Sequence, residues 1–337
     1  MKKITTLFIV GCIVFLISCA KDKDLNKLLS IEIPDGFPQS VYTFKDNQPT
    51  QKGFDLGKML FYDQGLSKDG TVSCGDCHQQ FAGFANLDHA TSHGVDNCFG
   101  KRNAPALFNL TYKDNFFLDG GVTNLELVPF NAMTDPCEMA NDLNKILAYL
   151  KSEPKYQQAF QKAFDSEEIT SQKMFRALAQ FQGMMVSADS KYDKVKAGKS
   201  QFTDQEQRGY QLFVAKCASC HKEPLFSDNS FRNNGLDLIS EDTGRGKISD
   251  LATDDGKFKV PTLRNIEVSR PYMHDGRFKT LEQVLDHYQK DIKANKNLDP
   301  ILKQDLALTD INKADIIAFL KTLTDHTFLK NPIFSEE

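Results

Sequence analysis

Two pentapeptides, Cys74-Gly75-Asp76-Cys77-His78 and Cys217-Ala218-Ser219-Cys220-His221, decide how this chain is read. In a helical turn, residues i, i+3 and i+4 share a face, so two thiols can add to the vinyl groups of one porphyrin while the next imidazole meets its iron. The pattern is that of covalent c-type haem attachment. In a shuffled chain of this composition one such pentamer starts at a given position with a probability on the order of 10⁻⁵, so two copies are not chance. A zinc site would gather both Cys pairs around one ion and needs no His after each, and a thiol-disulfide motif would sit in a βαβ unit that the pattern lacks.

Around the motifs the regular stretches carry helical periodicity. Apolar residues spaced by three and four predict helices over 141–150, 155–164, 172–187, 203–215, 281–288 and 309–323. Thr203 with Glu206 and Thr280 with Gln283 resemble capping boxes, and Thr309 can cap the last helix. Sustained alternation is absent, and 83–101 and 229–256 read as long loops of the kind that wrap a cofactor. A polar run over 189–201 marks a boundary between two halves with one motif each. The predicted fold is all-α: two cytochrome c-like domains, 40–195 and 196–337, each around one covalently bound haem, with the last residues able to pack back on the first domain.

The N-terminus reads as an export signal rather than as fold. Lys2 and Lys3 precede a run of mostly apolar residues, Ile4 to Ile17, that is short for a bilayer span. It ends in Leu16-Ile17-Ser18-Cys19, which resembles a lipoprotein signal (1–19) whose Cys19 would carry lipid on the periplasmic side of a bacterial membrane. Residues 20–39 serve as a tether. Export agrees with haem attachment outside the cytoplasm. The 337 residues, 40% of them hydrophobic, can bury two cores, and 41 basic against 45 acidic residues exclude the strong positive field that nucleic acid requires.

The sixth iron position separates electron transfer from catalysis. Met273, in Pro271-Tyr272-Met273-His274-Asp275-Gly276, lies 52 residues after His221 and is the candidate at the second haem, with His274 as the alternative. A thioether favours ferrous iron, making that haem an electron store. At the first haem the candidates are His93, beside Gly94, and His89, with an open site as the third option.

With these segments in order, the chain resembles the bacterial di-haem cytochrome c peroxidase family, which includes a relative that matures a tryptophan-derived cofactor. The resemblance rests on Leu66-Ser67, Ser73-Cys74, Arg102-Asn103-Ala104-Pro105, Phe117-Leu118-Asp119-Gly120, Pro136-Cys137-Glu138-Met139, Val260-Pro261-Thr262-Leu263-Arg264-Asn265 and 271–276, together with both motifs. It implies that Cys74, Cys77 and His78 hold a peroxidatic haem and that Cys217, Cys220, His221 and Met273 hold the haem that feeds it. It implies Glu138 as the distal acid/base, with Glu126 as runner-up, and a calcium ion near Asn103 and the carbonyls of 254–256. The activity implied is reduction of H2O2 with electrons from a small cytochrome c or cupredoxin. An electron carrier or redox sensor, and a cofactor-maturing enzyme, are the alternatives; the maturing type uses a Tyr as sixth ligand, against which Met273 argues. A homodimer is among the open oligomeric states. Leu118 stands where many members have Trp, and Val128 where a Gln is common; the chain has no Trp to act as a relay. Cys98 and Cys137 remain over, and a disulfide between them would brace the distal region.

Overall fold

The computed structural model describes residues 26–303 and 306–336; the export signal, Cys19 and most of the tether lie outside the described residues. Twelve α-helices occur among the described residues: α1 (Gln51–Phe61), α2 (Cys74–Cys77), α3 (Val128–Thr134), α4 (Leu143–Ser152), α5 (Pro154–Phe164), α6 (Ser171–Gly183), α7 (Lys191–Lys196), α8 (Asp204–Lys216), α9 (Arg245–Ser249), α10 (Leu281–Asp286), α11 (Asp310–Lys321) and α12 (His326–Leu329). The only sheet among them is one antiparallel pair, β1 (Phe231–Arg232) and β2 (Phe258–Lys259). All-α is the architecture.

The six helices read from periodicity are present as α4, α5, α6, α8, α10 and α11, and the predicted caps form. Thr203 and Thr280 make reciprocal capping boxes with Glu206 and Gln283, and Thr309 does so with Asn312. Three departures stand out. Helix α1 was not among the expected helices, although Thr50 caps it and Phe54, Leu60 and Phe61 mark its buried face. The polar run 189–201 contains α7, because Ser190 and Asp193 close a capping box that local hydrophobicity does not reveal. The 229–256 stretch folds locally into β1 and α9.

Two hydrophobic cores result. In the first, α1 packs on α6, and Phe54, Phe61, Phe84 and Phe181 interlock with Phe328 and Phe334 from the C-terminal end of the chain. In the second, α8 packs on α11, and Phe319 touches the rings of Tyr192, Phe202, Tyr210, Phe213 and Phe226. Burying each such ring is worth roughly 1.5–3 kcal/mol.

Both lobes reach their close helix crossing by the same device. Gly57 of α1 lies against the Ala177 carbonyl of α6, and Gly209 of α8 lies against the Asp315 carbonyl of α11; a Cβ at either would collide with backbone. The matched steps Gly57…Leu60-Phe61 and Gly209…Leu212-Phe213 each precede a Cys-x-x-Cys-His motif. That crossing sets where each motif leaves its helix pair.

Candidate active site

The first motif forms its own helical turn. Ser73 Oγ accepts the Asp76 N–H and the Asp76 carboxylate accepts the Ser73 N–H at 2.7 Å, so α2 starts at Cys74 and carries Cys77 one turn on. His78 follows as the C-cap, and its Nδ1 lies 2.8 Å from the Phe84 carbonyl oxygen. Burial pushes the His78 imidazole down to about 4, so it is neutral at pH 7. A neutral ring with Nδ1–H donating to a carbonyl keeps the Nε2 lone pair free, which is the state a metal-ligating His requires.

The second motif repeats this chemistry at the end of α8. Cys217 is the C-cap, the N–H groups of Cys220 and His221 donate to its carbonyl, and His221 Nδ1 lies 3.2 and 3.1 Å from the carbonyls of Phe226 and Pro261. Burial lowers the His221 pKa as well. The thiols are held protonated by burial, Cys74 and Cys217 pushed up to about 12 and Cys77 to about 11. They are not poised as thiolate redox groups.

Both motifs open onto one cavity of about 1770 Å³ that crosses the seam between the lobes. Its volume exceeds the ~300–1,000 Å³ of a site for one small ligand. Two large planar apolar groups, each gripped by two thiols and an imidazole, fit such a space.

Met273 lies on the wall of this cavity together with His221, Cys217 and Cys220. Its φ of +75° is strained for a residue with a side chain, and the Asn234 amide reaches its sulfur at 3.4 Å. His274 lines the cavity too, where its ring stacks on Phe258 with centroids 3.9 Å apart and its backbone carbonyl accepts the Asn103 N–H.

Glu138 lies on the wall of the same cavity as Cys74, Cys77 and His78. Burial, with Asp135 nearby, pushes its carboxyl up to about 7, against a hydrogen bond from Ser92 that favours the ionised form. The turn that carries it is clamped: Val95 N–H donates to the Glu138 carbonyl, and a disulfide joins Cys98 to Cys137. Glu126 is not on the cavity wall; it accepts the Tyr42 hydroxyl at 2.8 Å and faces Arg176.

The structure does not bring His93 or His89 into the cavity with His78. They line a smaller pocket of about 460 Å³ that shares Val72 and Cys77 with the cavity wall. His93 Nε2 lies 2.8 Å from Asn97 Oδ1, and its ring stacks on Phe99 at 4.4 Å. The disulfide and the Val95 bond hold the loop in that arrangement, which sequence spacing cannot register. The Asn103 amide donates to the Ala90 carbonyl, and the Asp255 carbonyl accepts from Asn297. No group of three or more His, Cys, Asp or Glu that could hold a metal ion occurs among the described residues.

Three long-range contacts carried no sequence signal. Arg102 forks onto Asp242 of the other lobe and also pairs with Asp119. Lys259 donates to the Asn115 carbonyl across the seam. Asn234, within the polar 229–256 stretch, touches Met273.

Residues 51–201 match the family described as di-haem cytochrome c peroxidase, and residues 206–324 match cytochrome c. The chain is 36% identical to the methylamine utilization protein MauG of Methylorubrum extorquens, over 85% of this chain and 82% of that protein. It is 35% identical to the cytochrome c551 peroxidase of Nitrosomonas europaea, over 83% and 82%. Among solved structures, a MauG-like protein associated with microbial copper homeostasis superposes with a TM-score of 0.85 at 31% identity, covering 91% of this chain and 99% of that one.

Proposed function

Because the chain belongs to the di-haem cytochrome c peroxidase family, we propose that it reduces hydrogen peroxide to water with electrons delivered singly by a small cytochrome c or cupredoxin. The observation that carries this reading is a buried carboxyl, Glu138, on the wall shared with Cys74, Cys77 and His78, with a pKa of about 7. When bound, the two c-type haems supply one iron that takes peroxide and one that stores an electron.

The chain's own residues do the rest. Cys74 and Cys77, and Cys217 and Cys220, would hold the two porphyrins, and His78 and His221 would supply Nε2 to the irons. At pH 7 Glu138 is close to half ionised, so it can accept a proton from a peroxide held in the cavity and donate one back, the proton movement that release of water from peroxide needs. Ser92 steadies the ionised carboxylate between the two transfers. The net reaction consumes two electrons and two protons. Met273 and Asn234 tune the second site. The lipoprotein signal read at Cys19 supports a membrane-tethered protein on the periplasmic side.

The test is peroxide-dependent oxidation of a reduced small cytochrome by the holoprotein, with and without Glu138→Gln. Turnover that collapses in the variant is the expected result. Full turnover in the variant removes Glu138 from its role, and no turnover in either form favours the electron-carrier alternative.

A further inference from the structure

The seam of the large cavity holds two cations that the proposed reaction does not use. Lys113 follows the short turn at Leu110–Tyr112 in the first lobe, and Lys259 lies on β2 in the second; both line the cavity. Packing surrounds Lys113, yet its side chain keeps accessible surface, which therefore faces the cavity. No hydrogen bond or ion pair to its ammonium occurs among the described residues. Lys259 is buried over the Phe231 ring, at 4.8 Å from its centroid, and among the described residues its ammonium donates only to the Asn115 carbonyl.

The acids nearby are occupied. Asp119 is paired with Arg102, and Asp114 accepts from the Asn115 amide. Two like charges facing one cavity repel, and burying them without a counter-ion is costly. Burial pushes Lys113 down to about 8; burial together with the Lys113 charge pushes Lys259 down to about 7. An anion between them would reverse both shifts. The cavity's expected occupants are apolar apart from their propionate arms.

We propose that the Lys113 and Lys259 ammonium groups form a carboxylate site on the seam that takes a propionate of one bound haem, each lobe contributing one cation. The inference rests on the two-haem reading. Such a site would lock the lobes together through the cofactor and raise that haem's potential, because a fixed positive charge favours the reduced iron.

The test compares the holoprotein with Lys113→Met, Lys259→Met and the double variant. Covalently bound haem is counted first in each; fewer than two in the parent overturns the function reading and this site with it. Midpoint potentials of both haems are then measured by spectroelectrochemistry. The expected result is that each single variant lowers the potential of the same haem, that the other haem is unchanged, and that the haem count stays at two. Unchanged potentials, or variants that shift different haems, overturn the proposal, as does a loss of thermal stability without any change in potential. Titrating the parent with acetate separates a tethered propionate from a free anion: no shift is expected, and a potential that follows acetate concentration overturns occupancy by propionate.

Discussion

Replacing Glu138 by Gln keeps the side chain's size and removes its carboxyl from the cavity wall that it shares with His78. General acid–base catalysis is worth on the order of 10²–10⁴-fold, so turnover with saturating reduced donor should fall by that factor while haem content stays at two. The pH profile supplies an independent number. With a pKa of about 7, roughly a tenth of Glu138 is ionised at pH 6 and roughly nine-tenths at pH 8, so a step that needs the base rises about tenfold across that interval. The variant should lose this limb.

Stability moves the opposite way. The pKa of Glu138 is raised above its unfolded value, so the folded state binds more protons and the parent loses stability as pH rises from about 4.5 through about 7. Glu138→Gln should match the parent at pH 5 and exceed it at pH 8 in thermal unfolding. Stopped-flow turnover and calorimetry at the two pH values decide the matter. A variant that keeps the parent's pH limb, or that is less stable than the parent at pH 8, would refute the reasoning.

Asn234→Leu removes the amide donor from the Met273 sulfur; with more electron density on the thioether, the second haem's midpoint potential should fall, and spectroelectrochemistry would show it. Replacing Cys98 and Cys137 by Ser opens a link spanning 39 residues and should cost about 2–4 kcal/mol in denaturant unfolding, with lower peroxide turnover because the Glu138 turn is no longer held. His93→Ala should leave the electron paramagnetic resonance spectrum of the first haem unchanged, since the ring faces Asn97 and Phe99 in a smaller pocket; a change from six- to five-coordinate iron would show that the loop swings inward. Phe319→Ala removes the centre of five ring contacts and should cost ~3–5 kcal/mol, read by thermal melting.

Local chemistry was open to the sequence. Two thiols and an imidazole at i, i+3 and i+4 announce a covalent porphyrin wherever they occur, because the geometry that matters spans one helical turn. Helices α4, α5, α6, α8, α10 and α11 show their buried faces by period, and Thr203, Thr280 and Thr309 announce their starts because a cap involves only residues three apart. Helix α7 escaped because, although Ser190 and Asp193 spell a cap, its six residues are too few and too polar to show a period, and Arg264, 71 residues away, holds Asp193 at 2.8 Å.

Only the tertiary structure decided which side chains share the cavity. Whether His93 or Glu138 shares the cavity wall with His78 depends on how one loop crosses another, here joined by the Cys98–Cys137 link and the Val95 bond, and no spacing along the chain encodes that arrangement. Asn234 meets Met273 across 39 residues, and Lys259 comes under the influence of Lys113 across the seam, for the same reason. A turn is determined by its neighbours in sequence; a cavity wall is determined by packing, which brings distant residues together only once both cores have formed.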